Sequence, residues 1–114
     1  MKDDRVYLRH ILRCISRIEE YVAEDRAAFS SSHLVQDAVL RNLQTMAEST
    51  QRLSPATKER RPDVDWVALA GLRNVLVHDY LGVDLDQVQR AIVQDMPRPK
   101  TACQGLLHDL EKLG

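Results

Sequence analysis

The stretch DDRVYLRHILRCISRIEEYVAED, residues 3–25, decides the fold class. Tyr7, Ile11, Cys14, Ile15, Ile18 and Val22 recur in it at spacings of three and four, which is the period of one helix face. Asp3 or Asp4 stands where an N-cap belongs, so the spacing predicts a helix from about Asp3 to Asp25. A second series, Arg5, Arg9, Arg13 and Arg17, follows at intervals of four and marks a basic ridge on another face. Such a ridge is either a solvated face, partly neutralised by Glu20, or a rail for a phosphate backbone.

Working outward, the same pattern repeats down the chain. Ser30-Ser31-Ser32 interrupts it and offers a cap for a second helix, His33 to about Leu53. Val35, Val39, Leu43 and Met46 form its stripe, widened by Leu34, Ala38 and Leu40. Ser54-Pro55 stops that helix, and Lys58-Glu59-Arg60-Arg61-Pro62 reads as an irregular basic connector and a second candidate basic patch. Asp63 or Asp65 caps a third helix through about Val77 or Asp79, burying Trp66, Leu69, Ala70 and Val77. Gly82 ends that segment, and Asp84 opens a fourth helix with Leu85, Val88, Ile92 and Met96. Met96-Pro97-Arg98-Pro99 reads as a hard break before a last helix, roughly Thr101 to Leu113. The expectation is an all-α, up-down helical bundle of about five helices filling one domain, residues 1–114. The first two helices each run about six turns, long for the remaining chain to cover, so a two-fold homodimer is expected.

Composition narrows the function. Sixteen Lys and Arg oppose seventeen Asp and Glu for a formal charge of −1, which excludes nucleic-acid binding by bulk charge and leaves only local patches. Cys14 and Cys103 sit in no CxxC or Cys/His cluster and read as buried free thiols in a reducing compartment. His10, His33, His78 and His108 lack ligand-pair spacing, so no metal site and no cofactor is expected. No window approaches the ~18 consecutive apolar residues of a membrane span, and Met1-Lys2-Asp3-Asp4-Arg5 lacks the apolar core of a signal peptide; the reading is a cytoplasmic protein.

The reactive groups gather in Gly71-Leu72-Arg73-Asn74-Val75-Leu76-Val77-His78-Asp79-Tyr80. Asn74 and His78 are four apart and share a helix face, with Arg73 about 100° around from Asn74. Imidazole exchanges protons near neutral pH and guanidinium holds developing phosphorane charge, so the pair suits chemistry at a phosphodiester. The plainer alternative is a capping His and an Arg that pairs with Asp79 or Glu48.

Arg73-Asn74-x3-His78-Asp79-Tyr80 resembles the R-x4-H-x-Y signature of HEPN-domain proteins, and within them the HepT-like toxin family. Tyr7-x3-Ile11, Ala38-Val39-Leu40-Arg41-Asn42-Leu43 with Glu48, and Pro62 through Trp66 fall in that family's order, so the resemblance covers roughly residues 3 to 97. The chain departs from it at Ala47-Glu48-Ser49, where the family often has Gly-Glu-Ala. The resemblance implies a HEPN-like homodimer in which two motifs face one cleft. It implies a metal-independent endoribonuclease with Arg73 and His78 catalytic and Asn74 supporting them. It also implies the toxin role in a type VII-like toxin–antitoxin pair, with an MntA-like minimal nucleotidyltransferase as the antitoxin partner. That partner would neutralise the toxin by transferring AMP to Tyr80. With RNA as substrate, Arg5, Arg9, Arg13 and Arg17 become candidate RNA contacts. Two other readings compete: a non-catalytic nucleotide- or nucleotidyltransferase-binding helical subunit, and a plain helical dimerisation module.

Overall fold

The computed structural model describes residues 3–23, 31–71 and 85–113, and every regular element among them is a helix. In chain order these are α1 (Asp4–Ala23), α2 (His33–Arg52), α3 (Pro55–Glu59), α4 (66–71), α5 (Leu85–Gln94) and α6 (Pro97–Leu113). The all-helical bundle expected from the periodicity is thus observed. The short α3 was not expected; it starts at Pro55 and overlaps the basic connector only at Lys58 and Glu59. Ser54 caps it by accepting the Thr57 N–H, and Pro55 fills its first turn, where a missing N–H costs nothing.

The core forms where α1 packs against α2 on one side and α6 on the other. Ile11, Cys14, Ile15, Ile18 and Val22 are all buried, as their spacing requires, while Tyr7 packs only partly against them. Leu8, absent from the expected stripe, is fully buried. Its place three residues before Ile11 and seven before Ile15 puts it squarely on the same face. From α2 come Val39, Leu43 and Met46; from α6, Ala102, Cys103 and Leu106. Both cysteines are free and buried, as expected.

Two expectations about this packing need correction. Leu34 does not widen the stripe of α2; it is 81% exposed. On a helix it lines up with Ala38 and Arg41, away from Val35 and Val39, and so faces out. The break at Met96-Pro97-Arg98-Pro99 is also narrower than the prolines suggest. It is confined to Asp95 and Met96, and α6 begins at Pro97, four residues before Thr101. Both prolines fall in the first turn, whose N–H groups have no intrahelical acceptor, so the helix loses no bond to them. The Lys100 N–H donates to the Met96 carbonyl at 3.1 Å, closing that turn.

The two acidic residues that open α1 have separate tasks. Asp3 caps the helix: its Oδ1 accepts the Arg5 N–H at 2.8 Å, and the carboxylate lies at the positive end of the helix dipole. The Arg5 guanidinium, hydrogen-bonded to the same carboxylate, holds its pKa below the ordinary value. Asp4 instead reaches across to α3. Its Oδ2 accepts from Ser54 Oγ and Thr57 Oγ1, both at 2.6 Å, and the Ser54 N–H donates to Oδ1 at 3.2 Å. This carboxylate therefore joins the starts of two helices, with the buried Thr57 hydroxyl depending on it. Asp4→Ala should destabilise the fold by about 2–3 kcal/mol in urea denaturation, since it strips charge-assisted bonds from a partly buried site. Asp3→Ala, losing an exposed cap, should cost about 1 kcal/mol. Equal midpoints for the two variants would show that the Asp4 contacts carry no special weight.

Candidate functional site

Arg73, Asn74, His78 and Tyr80 lie outside the described residues, and so do Val77, Leu81, Gly82 and Asp84. The structure does define how the chain enters and leaves that segment. Asp65 caps α4, its Oδ1 accepting the Ala68 N–H at 3.0 Å, as one of the two expected caps. Trp66 is buried, and its indole Nε1–H is shared between the carbonyls of Lys58 at 3.1 Å and Arg61 at 3.0 Å. These bonds seat α4 on the turn that follows α3. At the other end, Gln51 Nε2 donates to the Ala70 carbonyl at 3.0 Å and ties α4 to the last turn of α2. A side chain added at Gly71 would meet no described atom within 4 Å. On the far side, α5 is held by the buried Ile92, with Val88 packed partly against the core, and the buried Met96 follows it. The two helices that flank the Arg73–Tyr80 stretch in sequence, α4 and α5, are thus both anchored to the bundle.

The basic ridge on α1 divides into two halves. Arg5 pairs with Asp3 at 2.9 Å, and Arg9 reaches Glu111 on α6 at 3.3 Å. Arg13 and Arg17 are exposed and make no ion pair with any described residue; Glu20 pairs with neither. The second candidate patch is more fully engaged. Arg61 holds Asp63 at 2.9 Å, and Arg60 lies 3.5 Å from Asp109. The Asp63 carboxyl is held below its ordinary pKa by the hydrogen bond from Arg61.

A polar ladder that the sequence reading did not single out lies between α1 and α2. His10 Nδ1 is 2.6 Å from Ser49 Oγ, Cys14 Sγ is 3.4 Å from Thr45 Oγ1, and His10 Nε2 is 3.7 Å from Cys14 Sγ. The signal was available: His10 and Cys14 are four apart, and so are Thr45 and Ser49, which gives two matching faces. The ladder fixes the antiparallel register of the two helices. Cys14 is closed off from solvent within it and presents no accessible nucleophile. Ser49 supplies the hydroxyl that His10 meets. Asn42, in the same helix, donates its Nδ2–H to the Ala38 carbonyl at 2.8 Å, one turn back. Cys103, buried on α6's core face, has its thiol pKa pushed up to about 12 by burial, which disfavours the reactive thiolate. Among the described residues no group of three or more His, Cys, Asp and Glu is placed to hold a metal ion. No helix among them is long and apolar enough to cross a membrane.

Comparison with known proteins places the chain in a family. The chain is 32% identical over 112 residues to the Methanocaldococcus jannaschii protein named "Gamma-glutamylcyclotransferase and putative RNase MJ0434", covering 97% of this chain but only 50% of that one. It therefore spans about half the length of that relative. A second protein of the same organism, "Putative RNase MJ1380", is 28% identical over 100 residues, 87% of this chain and 92% of its own. "Probable ribonuclease HepT" of Thermococcus cleftensis is 30% identical over 95 residues, 82% of this chain and 86% of its own. No solved structure matches the chain. Residues 11–105 match the family described as "Ribonuclease HepT-like", a span that takes in most of α1, all of α2 through α5, and the Arg73–Tyr80 stretch. The chain belongs to the HepT-like ribonuclease family.

Proposed function

We propose that this protein is an endoribonuclease that cleaves RNA without a metal, at a cleft formed by two copies of the chain, and that it is the toxin of a toxin–antitoxin pair. The observation that carries the reading is the family match over residues 11–105, which includes Arg73 and His78 at the R-x4-H spacing with Asn74 and Tyr80 beside them. Its relatives named as RNases point the same way.

The chemistry follows from those groups. The imidazole of one His78 takes the proton of the ribose 2′-hydroxyl as that oxygen bonds to phosphorus. The P–O5′ bond breaks, and the leaving oxygen receives a proton from the imidazolium of His78 of the partner subunit. The products are a 2′,3′-cyclic phosphate and a 5′-hydroxyl. Arg73 from each copy holds the non-bridging oxygens as charge builds on them, and Asn74 keeps the motif in place. A single His cannot begin one turnover as both base and acid, so one chain alone supplies half a site. The 2′-hydroxyl nucleophile restricts the substrate to RNA and removes the need for a metal-bound hydroxide. The antitoxin in this reading is an MntA-like nucleotidyltransferase that transfers AMP to Tyr80.

Mixing tests the shared site directly. Wild-type protein exchanged with a tenfold excess of His78→Ala chains should lose about 90% of its cleavage per wild-type chain, because most wild-type protomers then pair with an inert one. EDTA should leave the rate unchanged. Cleavage that is indifferent to the excess variant would mean that one His78 suffices. Purified, AMP-free protein that leaves RNA intact while still binding its nucleotidyltransferase would overturn the enzyme reading in favour of a non-catalytic binding subunit.

A further inference from the structure

We propose that Arg13 and Arg17 of α1, together with Arg41 of α2, form a contact for the backbone of single-stranded RNA on the open face of the α1–α2 pair. The proposal rests on the ribonuclease reading for its choice of ligand, but it involves none of the motif residues. Its first support is the division of the ridge. Arg5 and Arg9 have their guanidiniums occupied by Asp3 and Glu111, whereas Arg13 and Arg17 are exposed and pair with no described carboxylate. Arg41 is likewise exposed and pairs with no described carboxylate; Asp37 and Glu48, its neighbours along α2, have interactions of their own.

The second support is register. The His10–Ser49 and Cys14–Thr45 contacts run antiparallel along the two helices, one turn apart in each. Continuing that register by one more turn brings Arg17 level with Asn42 and next to Arg41. Arg13 follows one turn back on the same side of α1. Three arginines that pair with no described carboxylate thus flank a strip whose floor is made of the half-buried side chains of His10, Asn42 and Thr45. A strip of this kind offers a polyanion several separated cations over a polar floor, and carries no base-reading geometry. In a chain with a net charge of −1, electrostatic RNA binding needs a local gathering of this kind. Sequence-independent backbone contact is the recognition expected, with strong salt dependence.

The test measures binding rather than cleavage, using a fluorescent single-stranded RNA with every 2′-hydroxyl methylated so that it cannot be cut. Arg13→Gln/Arg17→Gln should weaken binding on the order of twenty-fold at about 0.1 M salt and flatten the log–log salt slope by about 1.4, from two lost phosphate contacts. Adding Arg41→Gln should weaken it by about a further five-fold. Arg98→Gln/Lys112→Gln, which removes the same charge from exposed positions elsewhere on the surface, should bind like wild type. Circular dichroism melts of all variants should coincide, since none of these side chains is buried. Equal binding by wild type and Arg13→Gln/Arg17→Gln would overturn the proposal. So would an equal loss in Arg98→Gln/Lys112→Gln, or absence of RNA binding by every form. A loss confined to association with the nucleotidyltransferase would assign the face to a protein partner and overturn it as well. Failure of the ribonuclease reading would show separately, as an unmethylated RNA that binds with the same slope and is never cut.

Discussion

His78→Ala should eliminate RNA cleavage, and Arg73→Ala should come close to doing so, while both variants keep the helical content and assembly of the wild type. The sizes follow from what each group is asked to supply. In a site built from two copies, the His78→Ala substitution removes the base and the acid together, and each proton transfer is worth roughly 10²–10⁴ in rate. Loss of Arg73 from both copies removes the charge that meets the phosphorane, worth about 10²–10³. Arg73→Lys should recover only part of this, because an ammonium is a point charge and cannot span two phosphate oxygens as a guanidinium does. Cleavage of a defined RNA, followed with denaturing gels, and size-exclusion chromatography of the same samples check both halves of the expectation. Undiminished cleavage by His78→Ala would remove the catalytic assignment altogether. Lost cleavage with a collapsed assembly would instead identify the motif as structural.

These positions are candidates from sequence for a physical reason. Polar, reactive side chains inside an apolar helical run are costly unless they are used or paired, so Arg73, Asn74 and His78 stand out against Val75, Leu76 and Val77. Periodicity likewise determined the contact face of α1, because a buried stripe repeats every three to four residues whatever its neighbours are. What periodicity misses are the edges of that face and the long-range partners. Leu8 is as deeply buried as Ile15 but sits one residue from Tyr7, and the choice between two adjacent apolar residues depends on where α2 lies. Leu34 is as apolar as Leu43 and yet exposed, for the same reason. The prolines at positions 97 and 99 read as breakers because their effect depends on which turn they occupy, and only the structure shows that it is the first.

Electrostatic roles were least legible. Nothing along the chain distinguishes Arg9 from Arg13; the difference is that α6 brings Glu111 to one and no described carboxylate to the other. Asp3 and Asp4 are chemically identical and adjacent, but only Asp4 faces Ser54 and Thr57, about 50 residues on. The consequence reaches the site. Asp4 ties α1 to α3, Trp66 ties α3 to α4, and Gln51 ties α2 to α4, so the entry to the Arg73–Tyr80 stretch is fixed to the two longest helices by polar bonds that no local pattern announces.

Modification of Tyr80 should silence the enzyme, and Tyr80→Phe should escape that control. In the proposed transfer, the Tyr80 phenol oxygen would bond to the α-phosphorus of ATP as pyrophosphate leaves and the phenol proton passes to solvent. The product places a phosphodiester anion and an adenosine two residues from His78. At separations of a few ångströms, repulsion between that anion and an RNA phosphate costs about 1–4 kcal/mol, and the bulk of the nucleotide adds steric exclusion from the cleft. Cleavage should therefore fall by about 10²-fold or more on modification, read by comparing the enzyme before and after incubation with its nucleotidyltransferase and ATP. Intact-mass spectrometry should show additions in whole AMP units, mapping to Tyr80. Tyr80→Phe should cut RNA at close to the wild-type rate, gain no mass, and remain toxic in cells that express the nucleotidyltransferase. Neutralisation of Tyr80→Phe as complete as that of the wild type would show that the partner acts by occlusion alone, and that the tyrosine beside His78 has no part in regulation.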